Sequence, residues 1–142
     1  LLTGMTQEDV IPGVVELLAW LRAQNIPAAV ASSSKNAPLI LEKTGLKGYF
    51  TVIVDGSQIT RSKPDPQVFQ KAADALGVGY ANCVVVEDAV SGVQAALALG
   101  CQVAAVGRAA QSEGVTYPLK KPDDLIRQLS VPVSPNQERK LH

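Results

Sequence analysis

The alternation of helical and strand patterns along the chain constrains its fold more than any other feature. Apolar residues recur at helical spacing in some segments, and short apolar runs bounded by turn residues lie between them. The predicted helices cover about residues 12–24, 39–43, 66–76, 91–99 and 123–129, and the predicted strands cover 27–32, 51–54, 83–86 and 102–106. Strands that alternate with helices form right-handed crossovers. The sequence therefore predicts an α/β fold with a Rossmann-like parallel sheet flanked by helices.

Composition excludes several classes of protein. Thirteen basic and thirteen acidic residues leave no formal net charge, whereas nonspecific nucleic-acid binding needs a basic surplus. No apolar run is long enough to cross a bilayer, and no signal-peptide pattern is visible. Two cysteines, Cys83 and Cys101, are too few for a disulfide scaffold or a zinc cluster. We therefore expect a cytoplasmic protein with two reduced thiols, and neither nucleic acid nor a membrane as its partner.

Polar residues follow the predicted strands, at the edge of a parallel sheet where ligands bind. The residues after the first predicted strand are Ser32, Ser33, Ser34, Lys35 and Asn36. Lys63 follows the second strand, and Glu87 and Asp88 end the third. Hydroxyls, a lysine and backbone N–H groups bind phosphate, and a pair of carboxylates holds Mg²⁺. Because Mg²⁺ offsets the repulsion between carboxylates and a phosphoryl group, the two sets together predict one magnesium-bound phosphate site.

Each of these features has a simpler interpretation when it is taken alone. The serines could serve simply as the cap of a helix, and Lys63 could be a solvated surface lysine. Glu87 and Asp88 could be solvated carboxylates near a helix start, where the helix dipole favours negative charge. Asp55 with Gly56 is more typical of a turn than of a catalytic acid. A dinucleotide-binding domain is disfavoured because no Gly-x-Gly-x-x-Gly follows a strand. A response-regulator receiver is also disfavoured, because its acidic pair would precede the Ser or Thr and the Lys, whereas Glu87 and Asp88 follow them here.

The chain resembles the haloacid dehalogenase-like phosphotransferase superfamily. Members carry a Ser or Thr after the second core strand, a Lys at the start of a later helix, and an acidic pair after a further strand. Ser32, Lys63 within KPDP, and Glu87-Asp88 within VVVEDAVSGVQAA match these three motifs in order. The resemblance covers nearly all of residues 8–107. It implies Mg²⁺-dependent phosphoryl transfer on a small molecule.

Within that superfamily the segment IPGVVELLAWLRAQNIPAAVASSSKNA is most similar to the β-phosphoglucomutases. The resemblance implies that Ser34, Lys35 and Asn36 hold the phosphate that is not transferred. Ser32 and Lys63 would then bind the transferring group, with Ser33 beside them and Glu87 and Asp88 on the magnesium side. The implied activity is the conversion of β-glucose 1-phosphate to glucose 6-phosphate, and the implied partner is a sugar phosphate. A sugar-phosphate phosphatase of the same superfamily is the alternative.

The main departure from the family is the absence of Asp-x-Asp anywhere in the 142 residues. In the family that motif ends the first strand and supplies the nucleophile. The resemblance therefore implies a core incomplete at its N-terminus, with residues 1–11 as a linker from a missing cap, 12–130 as the partial core domain and 131–142 as a flexible tail. We expect this chain alone to be inactive and prone to self-association, and its parent to be monomeric. An inactive truncated module that binds phosphate or Mg²⁺ is the alternative of another class.

Overall fold

The computed structural model describes residues 2–3 and 13–130 as a parallel sheet covered by helices on both faces. The strands are β1 (Leu2–Thr3), β2 (Ala29–Ala31), β3 (Val52–Val54), β4 (Val84–Glu87), β5 (Gln102–Ala105) and β6 (Tyr117–Pro118). The α-helices are α1 (Val14–Ala23), α2 (Ala37–Thr44), α3 (Gln67–Leu76), α4 (Val90–Leu99) and α5 (Asp124–Ser130). The α/β fold predicted from the sequence is confirmed.

The strands lie in the order β3-β2-β1-β4-β5-β6, and every neighbouring pair is parallel. All strands therefore end at the same edge of the sheet. The order in which the strands are added reverses at β1, because β2 and β3 lie on one side of it and β4 to β6 lie on the other. A ligand crevice is expected at such a reversal, beyond the carboxyl ends of the central strands.

The position of β1 differs from the sequence prediction for the start of the chain. The sequence indicated a linker over residues 1–11 and a core that is incomplete at its N-terminus. Instead, Leu2 and Thr3 pair with β2 on one side and β4 on the other. Two residues are too few to show a strand pattern in sequence. The rest of the predicted linker and the predicted tail at 131–142 lie outside the described residues.

Two layers of apolar side chains, one on each face of the sheet, form the core. Successive strand residues point to opposite faces. Val85 and Val103 accordingly pack with α3 and α4, whereas Val86 and Ala104 pack with α1 and α5. None of the helices within residues 13–130 is long and apolar enough to span a bilayer. Both faces are thus covered, which leaves the strand ends as the place for polar chemistry.

Two helix starts near the strand ends show how the sequence shapes them. Asp65 is a residue type that favours helix starts, and its carboxylate accepts the N–H of Gln67, the first residue of α3, at 2.9 Å. Ser91 and Gln94 have the spacing of a capping box, which would make Ser91 the cap of α4, but the structure does not form it. Helix α4 starts at Val90 and has no side-chain cap, so Ser91 already lies within its first turn.

Candidate functional site

An ion pair between Lys63 and Glu87 lies at the carboxyl edge of the sheet. The ammonium of Lys63 donates a hydrogen bond to Oε2 of Glu87 at 3.2 Å. The two side chains are 11% and 1% exposed, so the pair is largely removed from water. Lys63 also lies over the ring of Phe69, with Nζ 5.0 Å from the ring centroid. The sequence placed these two residues at one site but did not predict that they contact each other.

The carboxylate of Glu87 is fixed on both of its oxygens. Oε1 accepts the backbone N–H groups of Asp88 and Ala89, each at 3.1 Å, while Oε2 is bound by Lys63. Glu87 thereby binds the N–H groups of the two residues that precede α4, and Ser91 provides no cap. Burial raises the pKa of Glu87 above its ordinary value, and the positive charge of Lys63 opposes that rise. The three hydrogen bonds hold the carboxylate in one orientation at the end of β4.

Helix α4 passes directly over Glu87 because a glycine faces it. A Cβ atom added at Gly92 would lie 2.0 Å from Cδ of Glu87, far inside ordinary contact distance. Any larger residue would displace the carboxylate from its partners. Gly92 is therefore part of the site, although it contributes no functional group. The sequence signal was available, since an isolated glycine inside a helical pattern usually has a packing reason.

The serine loop after β2 (residues 32–36) is folded by its own hydroxyls. Ser32 is 2% exposed, and its Oγ accepts the N–H of Ser34 at 3.1 Å. The Oγ of Ser34 in turn accepts the N–H of Asn36 at 3.2 Å. A hydroxyl that accepts one hydrogen bond keeps its own hydrogen for donation. The loop can therefore present two O–H donors toward an anion, while Ser33, Lys35 and Asn36 are exposed beside them.

The loop after β3 packs against the serine loop. The N–H of Gly56 donates to the carbonyl of Ser34 at 3.1 Å, and a Cβ at Gly56 would lie 2.2 Å from the Ser33 carbonyl oxygen. Asp55 accepts the N–H of Ser57 at 2.8 Å and caps a short 3₁₀ turn. The turn interpretation of Asp55 and Gly56 is thus correct. The glycine is needed for close approach of two backbones.

The side chain of Gln67 holds the segment before Lys63 in place by hydrogen bonds. Its Oε1 accepts the N–H groups of Thr60 and Arg61 at 2.7 and 2.9 Å, and its Nε2 donates to the Thr60 hydroxyl at 3.0 Å. Gln67 is the first residue of α3, so the helix anchors the loop that precedes Lys63. The sequence analysis missed this role, because an isolated glutamine has no distinctive pattern.

The predicted site residues all lie at one edge of the sheet, at different distances from one another. Lys63 contacts Glu87 directly, and Asp88 is the next residue in the chain after Glu87. The serine loop follows β2, which β1 separates from β4. Two strand spacings of about 4.8 Å therefore lie between the backbones of β2 and β4. A phosphate-sized group beyond the end of β1 would lie between the serine loop on one side and Lys63, Glu87 and Asp88 on the other.

The acidic pair has the chemistry for a hard cation but does not by itself form a complete metal site. Within the residues that the structure describes, no group of three or more His, Cys, Asp or Glu side chains could hold a metal ion. Mg²⁺, however, is usually held by one or two carboxylates, substrate phosphates and waters. Asp88 is half-buried directly after β4, and Glu87, the last residue of β4, is buried. These two carboxylates fit that mode of binding.

Comparison with known proteins gives an independent assignment. Residues 1–100 match the family model for haloacid dehalogenase-like hydrolases. The chain is 36% identical over 129 residues to the β-phosphoglucomutase of Bacillus subtilis, covering 91% of this chain and 57% of that protein. It is also 36% identical over 104 residues to hexitol phosphatase A of Escherichia coli, covering 72% of this chain and 48% of that protein.

A solved structure shows the same architecture. The β-phosphoglucomutase of Clostridium difficile superposes with a TM-score of 0.77 and 27% identity, covering 87% of this chain and 57% of that one. The chain thus spans about half the length of the relatives it matches. These matches include both a mutase and a phosphatase, so similarity alone leaves the reaction open.

Proposed function

Because this chain belongs to the haloacid dehalogenase-like hydrolase family, we propose that the protein containing it transfers a phosphoryl group on a sugar phosphate in the manner of a β-phosphoglucomutase. The observation that carries the proposal is the buried Lys63–Glu87 pair at the carboxyl edge of the sheet, beside the serine loop. The proposal concerns the whole protein, since the chain spans about half of its relatives' length.

Ser32 and Lys63 are proposed to bind the phosphoryl group that is transferred. Phosphoryl transfer spreads negative charge over three equatorial oxygens, and fixed donors stabilise that charge. The ammonium of Lys63 is held by Glu87 on one side and by Phe69 on another, so it cannot swing freely into solvent. The Ser32 hydroxyl is oriented by the N–H of Ser34. Both donors are therefore positioned before substrate arrives.

Ser34, Lys35 and Asn36, with Ser33, are proposed to hold the second phosphate of a sugar bisphosphate. A mutase must hold an intermediate with a phosphate at each end and reverse it, whereas a hydrolase needs only one phosphate site. Residues 33–36 follow Ser32 directly and are more exposed than it is. That gradient supports one buried phosphate position and one outer position.

Glu87 and Asp88 are proposed to hold Mg²⁺, with Asp88 as the direct ligand because Glu87 is already bound by Lys63. When bound, Mg²⁺ would neutralise charge on the phosphoryl oxygens. The Lys63 ammonium and two backbone N–H groups bind the Glu87 carboxylate and oppose the rise of its pKa that burial causes. The chain thereby brings negative charge to the metal and positive charge to the phosphate.

The nucleophile of the family's reaction has no counterpart in the 142 residues, which contain no Asp-x-Asp. We therefore expect this chain alone to show no turnover. An aspartate supplied elsewhere in the complete protein would attack phosphorus in line and form an aspartyl phosphate.

A sugar-phosphate phosphatase is the second candidate, and the hexitol phosphatase relative favours it. A coupled assay of the complete protein distinguishes the two. Glucose 6-phosphate formed from β-glucose 1-phosphate faster than inorganic phosphate is released would support the mutase. Phosphate release as the main product would support the phosphatase. Neither product, with a correctly folded protein and Mg²⁺ present, would contradict the proposal.

A further inference from the structure

Two free cysteines lie side by side at the opposite end of the sheet from the candidate site. Cys83 precedes β4 and Cys101 precedes β5, and both are buried. The strands pair with Val84 opposite Gln102, and the N–H of Gln102 donates to the Cys83 carbonyl at 3.0 Å. Cys83 and Cys101 therefore occupy neighbouring positions on adjacent parallel strands.

Their side chains point to the same face. Both cysteines belong to the apolar cluster that contains Val85 and Val103, two residues further along each strand. Residues two apart on a strand share a face. Paired residues on neighbouring strands have backbones about 4.8 Å apart, and disulfides join Cα atoms about 4.4–6.8 Å apart. The backbone positions are thus compatible with a bridge between the two sulfur atoms.

A cavity of about 150 Å³ lies against one of the two cysteines. It is lined by Cys83, by Leu76, Val78 and Asn82, and by the turn at 25–27. A water molecule takes about 30 Å³ of liquid volume, so a molecule as small as hydrogen peroxide fits. Cys101 does not line this cavity, and both side chains are otherwise buried.

The electrostatics of the two thiols also differ. A hydrogen bond from Cys101 lowers the pKa of Cys83, and burial opposes that effect only in part. The same contact, together with burial, raises the pKa of Cys101. Because the thiolate is the reactive form, the cavity beside Cys83 and its lowered pKa together favour Cys83 as the nucleophile of the pair.

We propose that Cys83 and Cys101 form a redox-modifiable dithiol, which a small hydroperoxide converts into an intramolecular disulfide. The Cys83 thiolate attacks one peroxide oxygen, the O–O bond breaks, and Cys83 becomes a sulfenic acid. The Cys101 sulfur then attacks the Cys83 sulfur, the S–O bond breaks, and the S–S bond forms. In total, two thiols and one hydrogen peroxide give one disulfide and two waters, with two electrons passing from sulfur to oxygen.

The test is oxidation of the 142-residue chain with hydrogen peroxide, followed by mass spectrometry without reductant. The expected product is a monomer lighter by two hydrogen atoms, with a peptide that links Cys83 to Cys101, and reductant restores both thiols. Addition of whole oxygen atoms without the link, disulfide-bonded dimers alone, or two unchanged thiols would each overturn the proposal.

Single variants test the order of reaction. In Cys101→Ser, Cys83 should give a sulfenic acid that dimedone traps. In Cys83→Ser, Cys101 should be modified at least about tenfold more slowly, because Cys101 is buried and does not line the cavity that reaches Cys83. Equal rates would overturn the assignment of Cys83 as the nucleophile. The linked peptide in the unaltered chain gives a result even where a variant fails to fold.

Discussion

Replacing Gly92 with alanine tests whether helix α4 fixes the candidate site. The added Cβ would lie 2.0 Å from Cδ and 2.4 Å from Cγ of Glu87, whereas ordinary contact begins at 3.4 Å. The Glu87 side chain cannot simply move aside, because it is 1% exposed and holds Lys63 and two backbone N–H groups. The substitution must therefore separate the carboxylate from at least one of these partners.

The expected cost follows from two opposing effects. Breaking one side of a buried ion pair costs about 3–5 kcal/mol. Gly→Ala inside a helix otherwise stabilises by up to about 1 kcal/mol. Gly92→Ala should therefore lower the free energy of unfolding by about 2–4 kcal/mol, measured by urea denaturation followed by circular dichroism. The matched control is Gln94→Ala, an exposed position in the same helix, which should change it by less than about 0.5 kcal/mol.

A double variant separates this explanation from a general effect on the helix. In a Glu87→Ala background the clashing Cγ and Cδ atoms are gone, so Gly92→Ala should become neutral or stabilising by up to about 1 kcal/mol. The two substitutions should thus be strongly non-additive. An equal destabilisation by Gly92→Ala in both backgrounds would refute the reasoning.

Three further predictions concern the charged groups. In the complete protein, Lys63→Ala should lower kcat/KM at least about 100-fold, because a fixed cation is lost from the phosphoryl group. Lys35→Ala should raise KM for a sugar bisphosphate more than for a monophosphate, with kcat less affected. The raised pKa of Glu87 means that the folded chain binds this proton more tightly than the unfolded chain. The free energy of unfolding should therefore fall as pH rises from the ordinary value of 4.5 through the raised pKa.

Each of these three predictions has a result that would contradict it, and the first and third also have a control variant. Lys71→Ala, an exposed lysine on α3, should leave kcat/KM unchanged, and an unchanged value for Lys63→Ala would remove that residue from the phosphate site. Equal KM effects on both substrates would argue against a second phosphate position at Lys35. Denaturation of Glu87→Gln across the same pH series should lack this fall, and a persisting fall would assign it to another group.

The sequence predicted the sheet because its strands are buried on both faces. The run at Val84 to Val86 is continuously apolar, as a central parallel strand requires, and the polar residues after it identify the functional edge. The meeting of Lys63 and Glu87 at one edge also followed from parallel strand ends. Their roles in binding phosphate and metal remain predictions.

Other features could not be predicted, since they depend on contacts between segments distant in sequence. The spacing of Ser91 and Gln94 fits a capping box, but Glu87 takes the N–H of Ala89 instead. The direct pairing of Lys63 with Glu87 depends on the path of a loop that Gln67 anchors. In both cases the contact depends on a residue that comes close only when the chain is folded.

The central claim is that the serine loop, Lys63 and the acidic pair surround one phosphoryl group. A crystal structure of the complete protein with Mg²⁺ and a phosphate analogue such as vanadate tests it most directly. We predict that Oγ of Ser32 and Nζ of Lys63 both donate to the bound oxyanion, while Asp88 binds the metal beside it. An oxyanion bound away from Lys63, or a metal held without Asp88, would contradict the account.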